Sequence, residues 1–164
     1  MLLQCDDDLT MIAYKNKENY VEMSKDEIVQ EIVRMFDIVS DLHLGFWTVT
    51  PNADVRKYRA PIIFKGIAGG FVGFNKKYLK SRYDERLFTR TDLDVLFQET
   101  QKNRIALIAD YIMIKQLRDK NAGGNNKDKT GNKIALSDAI MKQKWGKYYA
   151  YDSEKNIPKI LYKR

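Results

Sequence analysis

Three consecutive carboxylates, Asp6, Asp7 and Asp8, close the short apolar run Leu2-Leu3-Gln4-Cys5. A buried carboxylate without a partner costs on the order of several kcal/mol, so three adjacent ones cannot all be core residues. Hard oxygen ligands crowded at a strand end suit Mg²⁺ or Mn²⁺, which would bridge them to a diphosphate. Aspartate clusters also occur in ordinary turns, and the triplet alone leaves both readings open. A second acidic pair, Asp92 and Asp94, follows Thr89-Arg90-Thr91. Thr91 can cap a helix there and place both aspartates in its first turn. Asp92 is then either a general base or simply an acid favoured at a helix start; the helix dipole would keep such a base ionised but weak. Asp94 has the capping-box spacing from Thr91, which favours a structural role. His43 is the only histidine and reads as a surface or helix-end residue rather than a ligand.

These groups need elements to position them. The run Leu2–Cys5 reads as a buried strand ending at the aspartates, and strand ends are where open α/β sheets place ligands. Ser24-Lys25-Asp26-Glu27 is a capping box, with Ile28, Ile32, Met35, Phe36 and Val39 following at helical spacing. That helix should run from Lys25 to Leu42. Strands are expected over Phe46–Thr50, Ile62–Lys65 and Ala68–Phe74, the last holding Gly69-Gly70-Phe71-Val72-Gly73. Glycines this dense in an apolar strand imply close backbone approach to a ligand or to another chain segment. A helix of about ten residues should start at Thr91, buried through Leu93, Leu96 and Phe97, with a strand over Ile105–Ile108. Residues 120–133 are polar and rich in Gly, Asn and Lys, as an exposed loop would be. A final helix over Ile134–Trp145 leads into an aromatic, basic tail. The pattern is mixed α/β with no internal repeat.

At 164 residues, 44% hydrophobic and 31% charged, the chain fits one domain with a real core. No apolar run is long enough to span a membrane, and the N-terminus has no signal-peptide pattern. The lone Cys5 cannot form an internal disulfide, so a cytoplasmic setting is the default expectation. The net charge of +7 is uneven: residues 1–114 carry 16 Lys+Arg against 17 Asp+Glu, and residues 115–164 carry 13 against 5. A polyanion such as nucleic acid would meet the C-terminal third first, unless that charge is only a solvated surface. Trp145, Lys147, Tyr148, Tyr149, Tyr151, Tyr162, Lys163 and Arg164 interleave aromatic and basic side chains, as a base-stacking groove does. Trp145 falls on the apolar helix face with Met141 and is expected to pack inward.

Leu2-Leu3-Gln4-Cys5-Asp6-Asp7-Asp8-Leu9 resembles the apolar strand and DxD element of GT-A glycosyltransferases. Gly69-Gly70-Phe71-Val72-Gly73-Phe74 is similar to the glycine strand on the acceptor side of that fold. Thr89-Arg90-Thr91-Asp92-Leu93-Asp94-Val95-Leu96 resembles its acidic helix-start motif. Gly123-Gly124-Asn125, followed by Lys144-Trp145-Gly146-Lys147-Tyr148-Tyr149, resembles the end of phage glycosyltransferases associated with TET-type base hydroxylases and akin to base-J glucosyltransferase. The four motifs occur in the family's order and cover nearly the whole chain.

The resemblance implies a truncated GT-A-like domain, a mixed three-layer α/β sheet. Residues 1–114 would form the DxD and acceptor-side core, and residues 115–164 the basic loop, final helix and aromatic tail of the same domain. The implied reaction is metal-dependent transfer of a sugar from a nucleotide sugar, expected to be a UDP-sugar, to a hydroxyl. Hydroxymethylated pyrimidine in phage DNA is the implied acceptor, and a phage enzyme would act in the host cytoplasm. Asp6 would face the donor ribose and, with Asp8, hold Mn²⁺ or Mg²⁺. Gly69 and Gly70 would line the donor, and Asp92 would be the base in an inverting reaction. The family's late metal-binding histidine has no counterpart, and an oxygen from Gly124-Asn125-Asn126 could replace it. The nucleotide-binding half that precedes the DxD strand in GT-A folds is also absent from this sequence. That implies a missing N-terminal half or a partner chain pairing along Leu2–Cys5. Two other function classes stay open: a non-enzymatic nucleic-acid-binding module using the basic tail, and a two-metal nuclease built on Asp6, Asp8, Asp92 and Asp94.

Overall fold

A three-residue connection, Asp6–Asp8, decides the shape of the main sheet. The computed structural model describes residues 1–16, 18–51, 54–117, 131–152 and 157–161. The chain forms two compact units, Met1–Ser81 with Leu96–Asn121, and Arg82–Val95 with Ala122–Arg164. In the first unit, β1 (Leu2–Cys5), β2 (Leu9–Lys15), β3 (Tyr20–Glu22), β4 (Phe46–Thr50), β6 (Phe71–Phe74) and β7 (Leu107–Gln116) pair in the order β1-β6-β4-β7-β2-β3. The two-residue β5 (Ile62–Ile63) pairs with β7 off that path. Only β4 and β7 run parallel; the other pairings are antiparallel. At about 4.8 Å per strand spacing, a flat sheet would hold β1 and β2 roughly 19 Å apart. The chain from Cys5 to Leu9 reaches at most about 14 Å. The sheet must therefore curl, bringing the end of β1 round to the start of β2.

Helix α1 (Lys25–Asp41) starts at the expected capping box: the Ser24 hydroxyl accepts from Glu27 N–H, and the Glu27 carboxylate accepts from Ser24 N–H at 2.8 Å. His43 ends it in the left-handed region at φ 54, and Leu44 N–H donates back to Val39 C=O at 2.7 Å. Met35, Phe36 and Val39 of α1 pack into one apolar cluster with Trp47, Val49, Phe71, Leu107, Ala109 and Ile112 of the sheet. Phe36 meets the Trp47 ring edge-on at 5.6 Å. The indole of Trp47 lies across Gly73, its register partner on β6. A Cβ on Gly73 would come within 2.0 Å of Trp47 Nε1, so this glycine exists to seat a core tryptophan.

Four strands differ from expectation: β5 stops at Ile63 instead of Lys65, β6 starts at Phe71 instead of Ala68, and β1 and β7 depart further. β1 is not buried: it pairs with β6, forms one end of the strand order, and leaves Leu2, Gln4 and Cys5 exposed. β7 runs to Gln116 rather than stopping at Ile108, straight through Asp110. That carboxylate is tolerated because Lys15 Nζ meets Asp110 Oδ1 at 3.0 Å, with side-chain exposures of 0% and 2%. Asp110 Oδ2 accepts the Arg59 N–H at 3.0 Å. Strands β2 and β3, which the sequence pattern did not signal, lie beside β7.

The second unit holds the first turn of α2 (Thr91–Asn103), then α3 (Gly131–Trp145) and the antiparallel pair β8 (Tyr149–Asp152) and β9 (Ile157–Ile160). Ser137 of α3 is wholly buried, and its hydroxyl accepts from Phe88 and Thr89 N–H, each at 3.2 Å. Taken together, the chain is mixed α/β, a curled mixed sheet with three helices among the described residues. No helix among the described residues is long and apolar enough to cross a membrane.

Removing one member of a buried ion pair strands the other's charge. Lys15→Met should therefore cost about 3–5 kcal/mol in urea unfolding. Adding Asp110→Asn should recover part of that loss, and simple additivity of the two would refute the pairing.

Candidate functional site

The strand directions gather one set of residues at one pole of the curled sheet. β1, β4 and β7 end there, while β2 and β6 begin there. Asp6 and Asp8 belong to the turn from β1 to β2, Gly69 and Gly70 lead into β6, and Gln116 ends β7. Backbone bonds hold the parts in place. Asp6 N–H donates to Gly70 C=O at 2.8 Å, and Leu117 N–H donates to Asp8 C=O at 3.0 Å. Gly69 N–H donates to Val49 C=O at 3.1 Å and also lies 3.1 Å from the buried Thr48 hydroxyl.

Side chains then converge. Gln116 Nε2 donates to Asp6 Oδ2 at 2.7 Å and to Asp8 Oδ1 at 3.2 Å. Asp7 is exposed between them. A Cβ on Gly70 would lie 2.0 Å from Asp6 Oδ2 and 2.4 Å from Gln116 Nε2, so glycine alone leaves room for this convergence. A Cβ on Gly69 would meet the Val49 carbonyl oxygen at 2.8 Å. Gly69 thus serves chain packing, and Gly70 serves the carboxylates. Neighbouring Cys5 is a poor nucleophile, because desolvation and then the Asp6 carboxylate push its thiol pKa up.

The donor set suits a hard cation. It is all oxygen apart from the amide nitrogen, and the glycine clears space beside the carboxylates. Mg²⁺ and Mn²⁺ commonly take one or two protein carboxylates and complete their shells with water and phosphate oxygens. Among the described residues, no group of three or more His, Cys, Asp or Glu side chains is arranged to hold a metal ion. A two-carboxylate site is therefore what this pole offers. His43 stands at the end of α1, exposed, with its ring edge-on to Tyr78 at 4.8 Å. The possible oxygen ligands Gly124, Asn125 and Asn126 lie outside the described residues.

In the second unit, Asp92 is exposed in the first turn of α2. Asp94 is wholly buried, with Lys144 Nζ at 2.8 Å from one oxygen and Trp145 Nε1 at 2.8 Å from the other. Both oxygens being engaged, Asp94 is unsuited to binding a metal, and the four-carboxylate nuclease arrangement loses a member. The tail aromatics divide. Trp145 is held by Asp94, and Tyr149 is buried with its hydroxyl donating to Asp138. Tyr151 lies beneath the Arg90 guanidinium at 5.4 Å. Tyr148 is exposed, with Lys147 Nζ 5.4 Å from its ring centre. Lys142 and Lys144 are drawn to the Tyr149 carbonyl and to Asp84 and Asp94. Residues 162–164, part of the expected basic tail, lie outside the described residues.

Gln116 and Thr48 were missed by sequence reasoning. Gln116 stands 108 and 110 residues from its two partners. No spacing rule spans that distance. No family model matches the chain, and no curated protein or solved structure matches it either.

The two glycines of this strand should separate fold from site. Gly73→Ala collides with a buried indole and should lower the melting temperature sharply. Gly70→Ala meets only side-chain ends, so it should fold with near-normal stability and lose Mn²⁺ binding. Circular dichroism melts and Mn²⁺ titration of both variants check this, and equal destabilisation would refute the division of roles.

Proposed function

We propose that the chain is a metal-dependent glycosyltransferase, or the acceptor-side part of one, on a truncated GT-A-like sheet. It moves a sugar from a nucleotide sugar, with a UDP-sugar as the donor, to a hydroxyl. The acceptor is a hydroxymethylated pyrimidine in DNA. The observation that carries this reading is the convergence of Asp6 and Asp8 against Gly70, at the pole where the parallel strands β4 and β7 end. That is the end of an α/β sheet at which ligands are usually bound.

In this reading Asp6 and Asp8 hold Mn²⁺ or Mg²⁺, and Asp6 also faces the donor ribose. The cation, when bound, neutralises charge on the departing diphosphate. Gly70 serves the donor through the carboxylates whose space it clears, and Gly69 through the chain packing that places them. Asp92 takes the proton from the acceptor hydroxyl, and its exposure in the first turn of α2 leaves it accessible for that step. DNA would be met by the basic residues of the C-terminal segment, with Tyr148 and Lys147 the exposed aromatic and cation there.

Calorimetry with UDP and Mn²⁺ tests the donor side. Asp8→Ala should abolish metal-dependent UDP binding while the fold survives, and Asp7→Ala should have little effect. Asp92→Asn should keep donor binding and slow transfer by roughly 10²–10⁴-fold, the usual contribution of a positioned base. Equal tolerance of Asp7→Ala and Asp8→Ala would remove the triplet from the site. Full transfer activity in Asp92→Asn would move the base elsewhere.

A further inference from the structure

The pole of the sheet opposite the aspartate turn is basic. β4 and β7 begin there and β6 ends there. β7 alone, ten residues at about 3.3 Å each, sets the two poles roughly 30 Å apart. Residues 75–81, Asn-Lys-Lys-Tyr-Leu-Lys-Ser, leave β6 at this pole and run between the C-terminal ends of α1 and α2. Both helices stop on a basic residue in the left-handed region, His43 at φ 54 and Arg104 at φ 67. Buried polar groups fix the 75–81 segment in place. Asn75 N–H donates to Gly45 C=O at 2.9 Å, and Asn75 Nδ2 donates to Ser40 Oγ at 2.9 Å. A Cβ on Gly45 would lie 2.3 Å from Leu79 Cα, so only glycine lets the segment lie against the start of β4. Lys80 N–H and Asn103 Nδ2 occupy the two oxygens of the buried Glu99, at 2.8 and 2.9 Å.

The ammonium groups carried on this frame meet neutral partners. Lys80 Nζ donates to Asn103 Oδ1 at 2.7 Å, Lys102 Nζ donates to the Lys80 carbonyl, and Lys77 Nζ lies over the Tyr78 ring at 5.0 Å. Lys76, Lys77, Lys80, Lys102 and Arg104 are all exposed. Across residues 41–45, 75–81 and 99–104 these five stand against two acids, Asp41 and Glu99, for a net charge of +3. Helix dipoles favour a cation at each C-terminal end, which accounts for Lys102 and Arg104. They do not account for Lys76 and Lys77, which belong to neither helix.

We propose that this pole is a docking surface for the sugar–phosphate backbone of a nucleic acid. Ammonium groups are compact point charges that meet phosphate oxygens without demanding one geometry. Their spread over a fixed turn and a helix end fits a chain of phosphates better than a single one. Protein–protein interfaces centre on apolar and aromatic side chains and are depleted in lysine. In these three segments Leu42 is the large apolar side chain that is exposed, and Tyr78 is half-buried between His43 and Lys77. The surface is separate from the C-terminal segment. It needs neither the carboxylate site nor the transfer reaction, and it stands or falls by itself.

Fluorescence anisotropy of the full chain with a short labelled DNA duplex, over a series of salt concentrations, tests this. Wild-type affinity should fall with salt at a logarithmic slope of about 0.9 per phosphate neutralised. Lys76→Gln combined with Lys77→Gln should flatten that slope by about 1.8 and weaken low-salt binding by about tenfold. The melting temperature should not change, because neither side chain is part of the frame. Lys76→Arg combined with Lys77→Arg should keep the wild-type slope. Lys147→Gln, which removes an exposed cation of the C-terminal segment, is the comparison. If the Lys76→Gln and Lys77→Gln double variant binds within twofold of wild type, the surface is overturned. Loss of binding confined to Lys147→Gln then moves the contact to the C-terminal segment. A wild type that leaves the duplex unbound at low salt overturns the proposal too, and uptake on phosphatidylserine vesicles in that case names a membrane as the partner instead.

Discussion

A short turn between strands that are not neighbours is the constraint from which the rest of the first unit follows. Asp6–Asp8 must join β1 to β2 although β6, β4 and β7 lie between them in the strand order. Only a curled sheet allows it. Curling brings the end of β7 and the approach to β6 against the same turn, which is why Asp6 reaches Gly70 and Asp8 reaches Leu117 through the backbone. The site is therefore a product of sheet closure. Its carboxylates are held by the bonds that hold the curl, and a change that relaxed the curl would disperse them.

Closure of this kind demands small residues at the seam, and the glycine-rich strand supplies them for separate reasons. Gly69 lets the chain pass the Val49 carbonyl, Gly70 makes room for Asp6 and Gln116, and Gly73 seats the Trp47 indole. The Thr48 hydroxyl, wholly buried between them, lies 3.0 Å from the Phe71 carbonyl and 3.1 Å from Gly69 N–H. It ties the start of β6 to β4 where the two would otherwise be linked less regularly. A glycine cluster in sequence thus signalled close approach correctly. What approached each glycine was a matter of tertiary register.

Local rules made much of the scaffold legible. The bounds of β1 and β4, the capping box of α1, the acidic start of α2 and the end of α3 at Trp145 all follow from nearest neighbours in the chain. What stayed hidden depended on distant partners. The strand expected over Ile105–Ile108 runs on as β7 through Asp110, whose partner Lys15 is 95 residues away. β1 looked buried because it is apolar, yet at the edge of the sheet the same residues face outward. Gln116 carried no local signal, since a glutamine at a strand end is ordinary until its neighbours across the sheet are known.

The fates of the aspartates show why residue type and spacing could nominate a site without deciding it. Asp94, Asp110 and Asp138 each draw a lysine or arginine, and with it their charge is largely compensated. Asp6 and Asp8 both accept from the Gln116 amide, a neutral group that satisfies lone pairs without adding a charge of its own. Buried acids paired with cations are structural members of the fold. The distinction lies in the charge of the group that reaches each carboxylate, and in this chain that group comes from a strand or helix far along the sequence. It is the same dependence on closure that shapes the sheet: the curl that brings Gln116 to the aspartate turn also determines which side chain reaches each of these acids.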